Sequence, residues 1–364
     1  MPAVHQFVPA FEPGAVGQHT IEVQRALRDA GFECEVFAHI FHPEMAGKGH
    51  PFEDYGTGYP ARPGDWLMYQ FAIGSPVAGF VRSRPEPKIL YHHNLTPPEM
   101  LAAWEPAIVP GLLWGQRQLL ELAGSVEFAL ADSSFNRDDL RRAGYRDVDV
   151  VPILLDLDAF DCTPDPATLR RIAADRATGG CDWLFVGRVV PNKCQHDLVK
   201  ALAAYRAAYD SNARLRIVGG ASSSAYADAL RAFAETLGVA HAVDVAGSVT
   251  HAELSAYYRS ADVFVSMSEH EGFGVPLLEA MHHEVPIVAF AAAAVPETMA
   301  GAGLLVDDKR PASVAAAVHR VLVDDGLRST FVAAGARRLG DFDLARTRAR
   351  LLSVLEARGV GATR

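Results

Sequence analysis

The sequence predicts an α/β protein of two doubly wound parallel sheets, on three observations. Its 364 residues are too many for one compact core and suit two domains. Short apolar runs alternate with longer helical patterns, which is the order of βαβ units. That alternation breaks once, near 154–165, and then restarts.

In chain order the first runs are 3–8, 34–38, 66–71, 88–91, 127–131 and 148–153, most of them separated by helical patterns. Residues 154–165 read Leu-Leu-Asp-Leu-Asp-Ala-Phe-Asp-Cys-Thr-Pro-Asp. Pro and Asp cluster there without periodicity, so the stretch reads as a linker. The runs resume at 182–186, 215–218, 243–246, 263–266, 286–290 and 303–306. Between them, 196–205 sets Leu198, Leu202 and Tyr205 on one helical face. Residues 341–357 make a last amphipathic segment with no strand after it. The expected division is 1–155, 156–340 and 341–364. No solenoid repeat is present, and the only low-complexity tract is Ala291–Ala294.

Composition excludes several classes. Hydrophobic content of 49% and charged content of 21% are globular values. No apolar run reaches bilayer length. The start, Met1-Pro2-Ala3-Val4-His5-Gln6, lacks a basic segment before an apolar one, so no signal peptide is expected. Cys34, Cys162, Cys181 and Cys194 are scattered without a Cys-x-x-Cys pair, which disfavours structural zinc and a disulfide framework. The cytoplasm, including the inner face of the membrane, is the expected compartment. A net charge of −10 argues against nucleic acid as a partner. Residues 1–150 hold 12 Lys/Arg and 19 Asp/Glu, a net of −7, poorly suited to electrostatic docking on an anionic membrane. A small basic or amphipathic patch, and with it a peripheral membrane contact, stays compatible with that count.

The most informative stretch is 269–281, Glu-His-Glu-Gly-Phe-Gly-Val-Pro-Leu-Leu-Glu-Ala-Met. Glu271 and Glu279 have seven residues between them, including a Gly-Phe-Gly turn and Pro276. Proline is favoured in the first turn of a helix, where its missing N–H costs nothing. Glu271 therefore belongs to a loop and Glu279 to the opening turns of the next helix. The first N–H groups of that helix have no internal partner, and its positive dipole end points the same way. The result is an anion site with a carboxylate on either side. A nucleotide-sugar offers matching chemistry: a diphosphate for the N–H groups and vicinal hydroxyls for the carboxylates. Without the Gly-rich turn, the same pair would read as a surface carboxylate and a solvated helix face.

A second element follows 182–186. Trp183-Leu-Phe-Val-Gly187 ends in Arg188, and Lys193 comes five residues later. A glycine at the carboxyl end of a strand with two cations in the next loop sits where open α/β sheets bind ligands. Arg188 can fork across phosphate oxygens, and Lys193 is a compact charge. Most Arg and Lys are simply exposed surface cations, so strand position carries this reading. Val218-Gly219-Gly220 and Ala246-Gly247-Ser248-Val249 end two further strands.

These motifs resemble the retaining glycosyltransferases of family 4, with the GT-B fold. Glu271-Gly-Phe-Gly-Val-Pro-Leu-Leu-Glu279 is similar to their Glu-x7-Glu motif, and Gly187-Arg188…Lys193 to their Gly-Arg…Lys signature. Tyr91-His92-His93-Asn94-Leu95-Thr96-Pro97 resembles the Tyr-His-Asn-Ile-Thr-Pro run of a bacterial subgroup. The resemblance implies two Rossmann-like domains facing a cleft, the first acceptor-side and the second donor-binding, with a final helix returning to the first. It implies that Arg188 and Lys193 hold the donor diphosphate and that Glu279 holds the ribose. Glu271, with Phe273 and Gly274, would position the transferred sugar, and Val275 opens the helix beside them. Gly187, Gly219 and Val249 would meet the nucleotide. His93 would contact the transferred sugar, with His92 a structural neighbour, while Gly17 would bring backbone N–H groups to the diphosphate. Tyr69-Gln70-Phe71…Gly74-Ser75-Pro76 would line the acceptor side, and Ser133 reads as a helix cap. Two departures stand out. Cys194 replaces the usual Gly after Lys193, and Ala293-Ala294-Val295-Pro296-Glu297 replaces Gly-Gly-x-Pro-Glu. Glycine tolerates backbone angles that alanine resists.

Metal chemistry finds little support. Asp-x-Asp occurs at Asp147/Asp149, Asp156/Asp158 and Asp341/Asp343, an unspecific pattern in an Asp-rich chain. His39-x-x-His42 could pair on a helix, without a third ligand. No Gly-x-Ser-x-Gly elbow and no Gly-x-Gly-x-x-Gly after the first strand are present. No covalent nucleophile stands out.

The expected activity is a metal-independent, retaining hexosyl transfer. The donor would be a UDP- or GDP-linked sugar, and the acceptor a glycan, glycolipid or small molecule. No cofactor is expected beyond that co-substrate. Alternatives are a GT-B glycosyl phosphorylase, a sugar-nucleotide hydrolase, or an inactive GT-B domain that binds glycan or protein.

Overall fold

The computed structural model describes residues 3–361. Met1 and Pro2, which open the segment expected to lack a leader, and 362–364, the end of the last predicted division, lie outside the described residues. The chain forms two compact units. One holds residues 3–98, 108–156 and 341–361, and the other holds Glu99–Ala107 and Leu157–Gly340.

The first unit is a seven-stranded sheet. Its strands are β1 (Val4–Phe11), β2 (Val36–Phe41), β3 (His50–Pro51), β4 (Trp66–Phe71), β5 (Lys88–His92), β6 (Phe128–Ala131) and β7 (Val148–Val150). They pair in parallel in the order β3-β2-β1-β4-β5-β6-β7. Four of its helices are α1 (Ala15–Asp29), α2 (Pro76–Ser83), α3 (Val109–Leu122) and α4 (Ser134–Arg142). Every residue of β4 and β5 is buried, as expected of central strands covered on both faces.

The second unit repeats the plan with six strands: β8 (Asp182–Val186), β9 (Arg214–Val218), β10 (Val243–Gly247), β11 (Val263–Ser266), β12 (Ile287–Phe290) and β13 (Leu304–Val306). Its helices are α5 (Pro166–Asp175), α6 (Gln195–Ala208), α7 (Ser224–Thr236), α8 (His251–Ser260), α9 (Val275–His282), α10 (Val295–Met299), α11 (Pro311–Val323) and α12 (Asp325–Leu339). The strands run parallel in the order β10-β9-β8-β11-β12-β13.

The final helix, α13 (Leu344–Ala357), belongs to the first unit. Its Leu351, Val354 and Leu355 are buried in one cluster with Val4, Val23, Leu27 and Tyr91. Arg348 reaches Glu22 at 2.6 Å and Asp29 at 3.4 Å, and Arg358 reaches Asp149 at 2.8 Å.

Some local expectations are corrected. His39 lies in β2, not on a helix, so His39 and His42 share no helical face. The run 148–153 is strand only to Val150. Val151 and Ile153 stay buried past the strand's end; the Val151 N–H donates to Ala131 O at 3.0 Å and its carbonyl accepts the Tyr91 hydroxyl at 2.8 Å. The two-residue edge strand β3 is too short to show in a periodicity. Part of the expected linker winds into a 3-10 turn at Leu157–Phe160. No described helix is long and apolar enough to cross a membrane.

Candidate functional site

Strand order decides where each unit can hold a ligand. In the second unit the chain runs outward from β8 to β9 and β10, then crosses back to β11 on the other side. The carboxyl ends of β8 and β11 therefore flank a topological switch point, where parallel sheets leave a crevice. Gly187, Arg188 and Lys193 follow β8, and Glu271 follows β11. The fold brings these two loops together. The Glu269 N–H donates to the Asn192 carbonyl at 2.9 Å, and Asn192 Nδ2 donates to the His270 carbonyl at 3.3 Å. Lys193 Nζ lies 2.6 Å from Glu271 Oε2 and 3.4 Å from the His270 carbonyl.

Arg188 differs from Lys193. Its side chain is exposed, and among the described residues its guanidinium has no hydrogen bond and no ion pair. Its backbone carbonyl is fixed by Gln195 Nε2 at 2.8 Å. The positive charge of Arg188 acts on Glu105, a residue only 5% exposed that comes from the Glu99–Ala107 segment of the same unit. Burial pushes the Glu105 carboxyl up, against the pull of Arg188 and a bond from Ser222. Glu105 Oε1 has no partner.

Gly219 explains itself by contact. A Cβ there would overlap the Gly187 carbonyl oxygen, so the exits of β8 and β9 can lie side by side only without a side chain. The Gly219 N–H donates in turn to Gly247 O at 2.9 Å. Val249, two residues beyond β10, is partly buried. Cys194, between Lys193 and α6, has φ +52, so the position where relatives of the motif carry glycine keeps a left-handed backbone here.

Helix α9 supplies the next layer. Gly274 caps its N-terminus at φ +94, Val275 and Pro276 open it, and Glu279 lies in the second turn. No side chain caps this end. The Phe273 carbonyl accepts the Thr298 hydroxyl at 2.5 Å, which ties the Gly-rich turn to α10. Glu279 Oε2 accepts the Tyr258 hydroxyl at 2.7 Å. Burial pushes the Glu279 carboxyl above the usual range, and the Tyr258 bond works against that. The Ala-rich loop before α10 has Ala293 at φ +51, and its Ala294 N–H donates to Glu271 O at 3.2 Å. Glu297 sits partly buried in α10.

In the first unit the corresponding switch point lies between β1 and β4. Gly17 is in the first turn of α1, not in a loop before it, and a Cβ there would overlap the Glu12 carbonyl. The first N–H groups of this helix lack intrahelical acceptors. His93 follows β5 and is held at both ring nitrogens. Nδ1 is 2.9 Å from Asp132 Oδ2, and Nε2 is 2.7 Å from Gln70 Oε1. Gln70 Nε2 donates to Gln6 Oε1 at 2.6 Å, and Gln6 Nε2 to the Thr20 carbonyl at 2.9 Å. That terminal carbonyl orients both amides, so each ring nitrogen of His93 faces an oxygen atom. Burial pushes the Asp132 carboxyl up, opposed by His93. His19 packs edge-on to His93 at 4.8 Å, and burial, aided by the His93 charge, holds it well below its ordinary value. His92 is fully buried, and Ser133 caps α4 by accepting from the Asn136 N–H at 3.2 Å. Tyr69 Oη lies 3.0 Å from Ser75 Oγ, and Gly74 abuts the backbone of α3.

Tyr258 and Glu105 lie in no motif read from the sequence, Gln70 lies within the Tyr69-Gln70-Phe71 segment, and the bonds made by Asp132, Gln70 and Gln6 carry no sequence signal. Each becomes visible only through the partner the fold provides.

Comparison with known proteins gives a consistent picture. Residues 175–338 match the family model for Glycosyl transferases group 1. The D-inositol 3-phosphate glycosyltransferase of Kineococcus radiotolerans is 36% identical over 259 residues, which is 65% of this chain and 57% of that protein. The GDP-mannose-dependent alpha-(1-6)-phosphatidylinositol monomannoside mannosyltransferase of Mycobacterium tuberculosis is 36% identical over 203 residues, 52% of this chain and 49% of its own. The chain thus spans about half the length of the curated relatives it matches. Among solved structures, Anabaena HepE in complex with UDP and glucose superposes with a TM-score of 0.75 at 18% identity, covering 98% of this chain and all of that one. Sucrose-phosphate synthase from Thermosynechococcus elongatus gives 0.76 at 18%, covering 98% and 99%. The two sheets thus have the GT-B fold, and residues 175–338 are similar in sequence to group 1 glycosyl transferases.

Proposed function

We propose that this protein is a retaining, metal-independent glycosyltransferase that moves a hexosyl unit from a UDP- or GDP-linked sugar. One observation carries the reading. An exposed, unpartnered Arg188 and a Lys193–Glu271 ion pair stand at the carboxyl ends of β8 and β11, beside the uncapped end of α9. The diphosphate would take Lys193 from Glu271, joining Arg188 and the helix N–H groups. Both cations would then stabilise charge growing on the departing diphosphate, the largest electrostatic task of the reaction. Glu271, released from Lys193, would accept hydroxyls of the transferred sugar. Glu279 keeps lone pairs beyond the one Tyr258 uses, and these would accept the ribose hydroxyls. In the first unit, His93 is the residue proposed to meet the transferred sugar. Because its ring nitrogens are occupied, Asp132 and Gln70 would act as positioning residues for it. The named relatives act on D-inositol 3-phosphate and on phosphatidylinositol monomannoside, which supports a polyol phosphate or glycolipid acceptor.

The test is release of nucleoside diphosphate from nucleotide-sugars in the presence of such acceptors. Lys193→Ala and Arg188→Ala should each lower turnover ~10²–10³-fold, the usual effect of removing one preorganised donor to a developing anion. Both variants should keep the wild-type melting profile, and activity should survive exhaustive chelation. Near-normal turnover in both variants would remove the diphosphate assignment. Activity lost on chelation and restored by Mn²⁺ or Mg²⁺ would point to an Asp-x-Asp metal site instead.

A further inference from the structure

The opposite edge of the second sheet holds a group of cations that the proposed transfer reaction does not use. At the amino ends of β8, β9 and β10 lies a recess of about 390 Å³. Arg206, Arg214, Arg216 and His241 line it together with Asp175 and Asp244. The size is within the range of small-molecule sites and exceeds what a lone oxyanion fills. Five residues of β8 separate this edge from Gly187, roughly 15 Å at the rise of a parallel strand.

The charges are not balanced among themselves. Arg216 is 3% exposed and carries the carboxylates. Its Nε bonds Asp182 at 3.0 Å, and its Nη1 lies 3.0 Å from Asp175 and 3.5 Å from Asp244. Its Nη2 has no hydrogen-bond partner, a buried guanidinium donor left open at the base of the recess. Arg206 and Arg214 have no carboxylate within ion-pair distance among the described residues. They donate to neutral acceptors instead. Arg206 Nη1 bonds Ala213 O at 2.5 Å, and its Nη2 lies 2.9 Å from His241 Nε2. Arg214 bonds Gly179 O at 3.0 Å and Thr178 Oγ1 at 2.8 Å. Burial, with the like charge of Arg214, holds the Arg206 guanidinium below its ordinary value against the pull of Asp210. Two crowded guanidiniums with unused N–H donors are the setting that a tetrahedral oxyanion relieves.

We infer that this recess is a second ligand site, for a small phosphate monoester of a polyhydroxy compound. The phosphate would lie on Arg206 and Arg214, with His241 at its rim. The hydroxyls would reach the carboxylates of Asp175 and Asp244, which line the same recess; Arg171 also holds Asp244 Oδ2, at 3.0 Å. A ligand here closes the amino ends of β8 and β9, the strands whose other ends present Arg188 and Gly219.

The experiment is calorimetric titration of the full chain with glucose 6-phosphate, inorganic phosphate and glucose. Glucose 6-phosphate should bind saturably, with inorganic phosphate at least tenfold weaker and glucose undetectable. Arg206→Gln and Arg214→Gln should each weaken the ester at least tenfold. The exposed His241→Ala tests the same face without touching a backbone bond, and should weaken it by a smaller factor. Arg188→Ala and Lys193→Ala should leave this affinity unchanged, and thermal melting of every variant reports on folding. The inference is overturned by absence of saturable binding, by unchanged affinity in folded Arg206 and Arg214 variants, by inorganic phosphate binding as tightly as the ester, or by loss of binding in the Arg188 and Lys193 variants.

Discussion

Glu279 shows what burying a single carboxyl costs in stability. Its carboxylate is desolvated by α9 and its neighbours and receives one compensating bond, from Tyr258. A carboxyl raised in the folded state contributes stability that is fully present below its unfolded value and lost as pH rises through the folded one. At neutral pH the buried charge is therefore a burden. Glutamine keeps the acceptor for Tyr258 and removes that charge. Glu279→Gln should raise the melting temperature at pH 7, and the gain should shrink as pH falls toward 4. The same variant should weaken nucleoside diphosphate binding, because the ribose belongs to the part of the donor that is not transferred. Glu271→Gln should instead lower kcat more than that affinity, since contacts next to the reacting bond act mainly in the transition state. Melting curves across pH, beside calorimetry and steady-state kinetics, check all three. Loss of diphosphate binding in Glu271→Gln with none in Glu279→Gln would reverse the two roles.

Among the elements, the loop between β12 and α10 is under backbone strain. Ala293 holds φ +51, a region that costs a residue with a Cβ on the order of 1 kcal/mol. Ala293→Gly should relieve this, offset in part by the greater freedom glycine gives the unfolded chain. A net gain of about 0.5 kcal/mol, read by denaturant titration, is expected, and a loss would mean that the methyl group packs. At the far end of α9, His283 stacks on Tyr258 at 5.1 Å, beside His282, which lies 3.0 Å from Asp161. Burial, with the charges of His282 and Arg259, pulls His283 down to about 4. A base depressed in the folded state contributes stability that is present above its unfolded value, near 6.5, and is lost as pH falls toward the folded one. Each pH unit in that window removes up to about 1.4 kcal/mol. His283→Gln should flatten the fall in stability between pH 6.5 and 4 relative to wild type, as measured by unfolding at several pH values.

For the molecule as a whole, neither compact unit is one continuous stretch of sequence. The first unit is completed only when α13 arrives from the end of the chain, and the second takes in Glu99–Ala107 from the first half. Leu351 is fully buried among side chains from β1, α1 and β5. Leu351→Ala should therefore destabilise the first unit by about 2–5 kcal/mol, the usual range for a truncated core leucine. Hydrogen exchange should locate the loss in β1 and α1. Protection unchanged there would mean that α13 is a peripheral clasp rather than part of the core.

Short-range grammar made much of this protein legible in its sequence. Apolar runs flanked by turns marked nearly every strand, because a parallel strand buried on both faces needs a continuous apolar stretch. Gly187-Arg188…Lys193 and Glu271…Glu279 were readable for the same local reason, as each needs only a strand exit or a helix start at fixed spacing. Which strand ends become neighbours is not local. The orders β10-β9-β8-β11 and β2-β1-β4-β5 set Lys193 2.6 Å from Glu271 and join His93 to Gln70 and, through it, to Gln6. Tyr258 and Glu105 left no trace in any motif, and nothing in the sequence paired Asp132 with His93, because a hydroxyl or carboxylate acquires its partner from the group packed against it. The recess at the amino ends of β8, β9 and β10 likewise gathers Arg206, Arg214 and His241 from three separate segments. Sequence determined the elements and which charged groups stand at each strand exit. Tertiary structure decided which charges meet, since desolvation and pairing energies depend on distances that strand order alone sets.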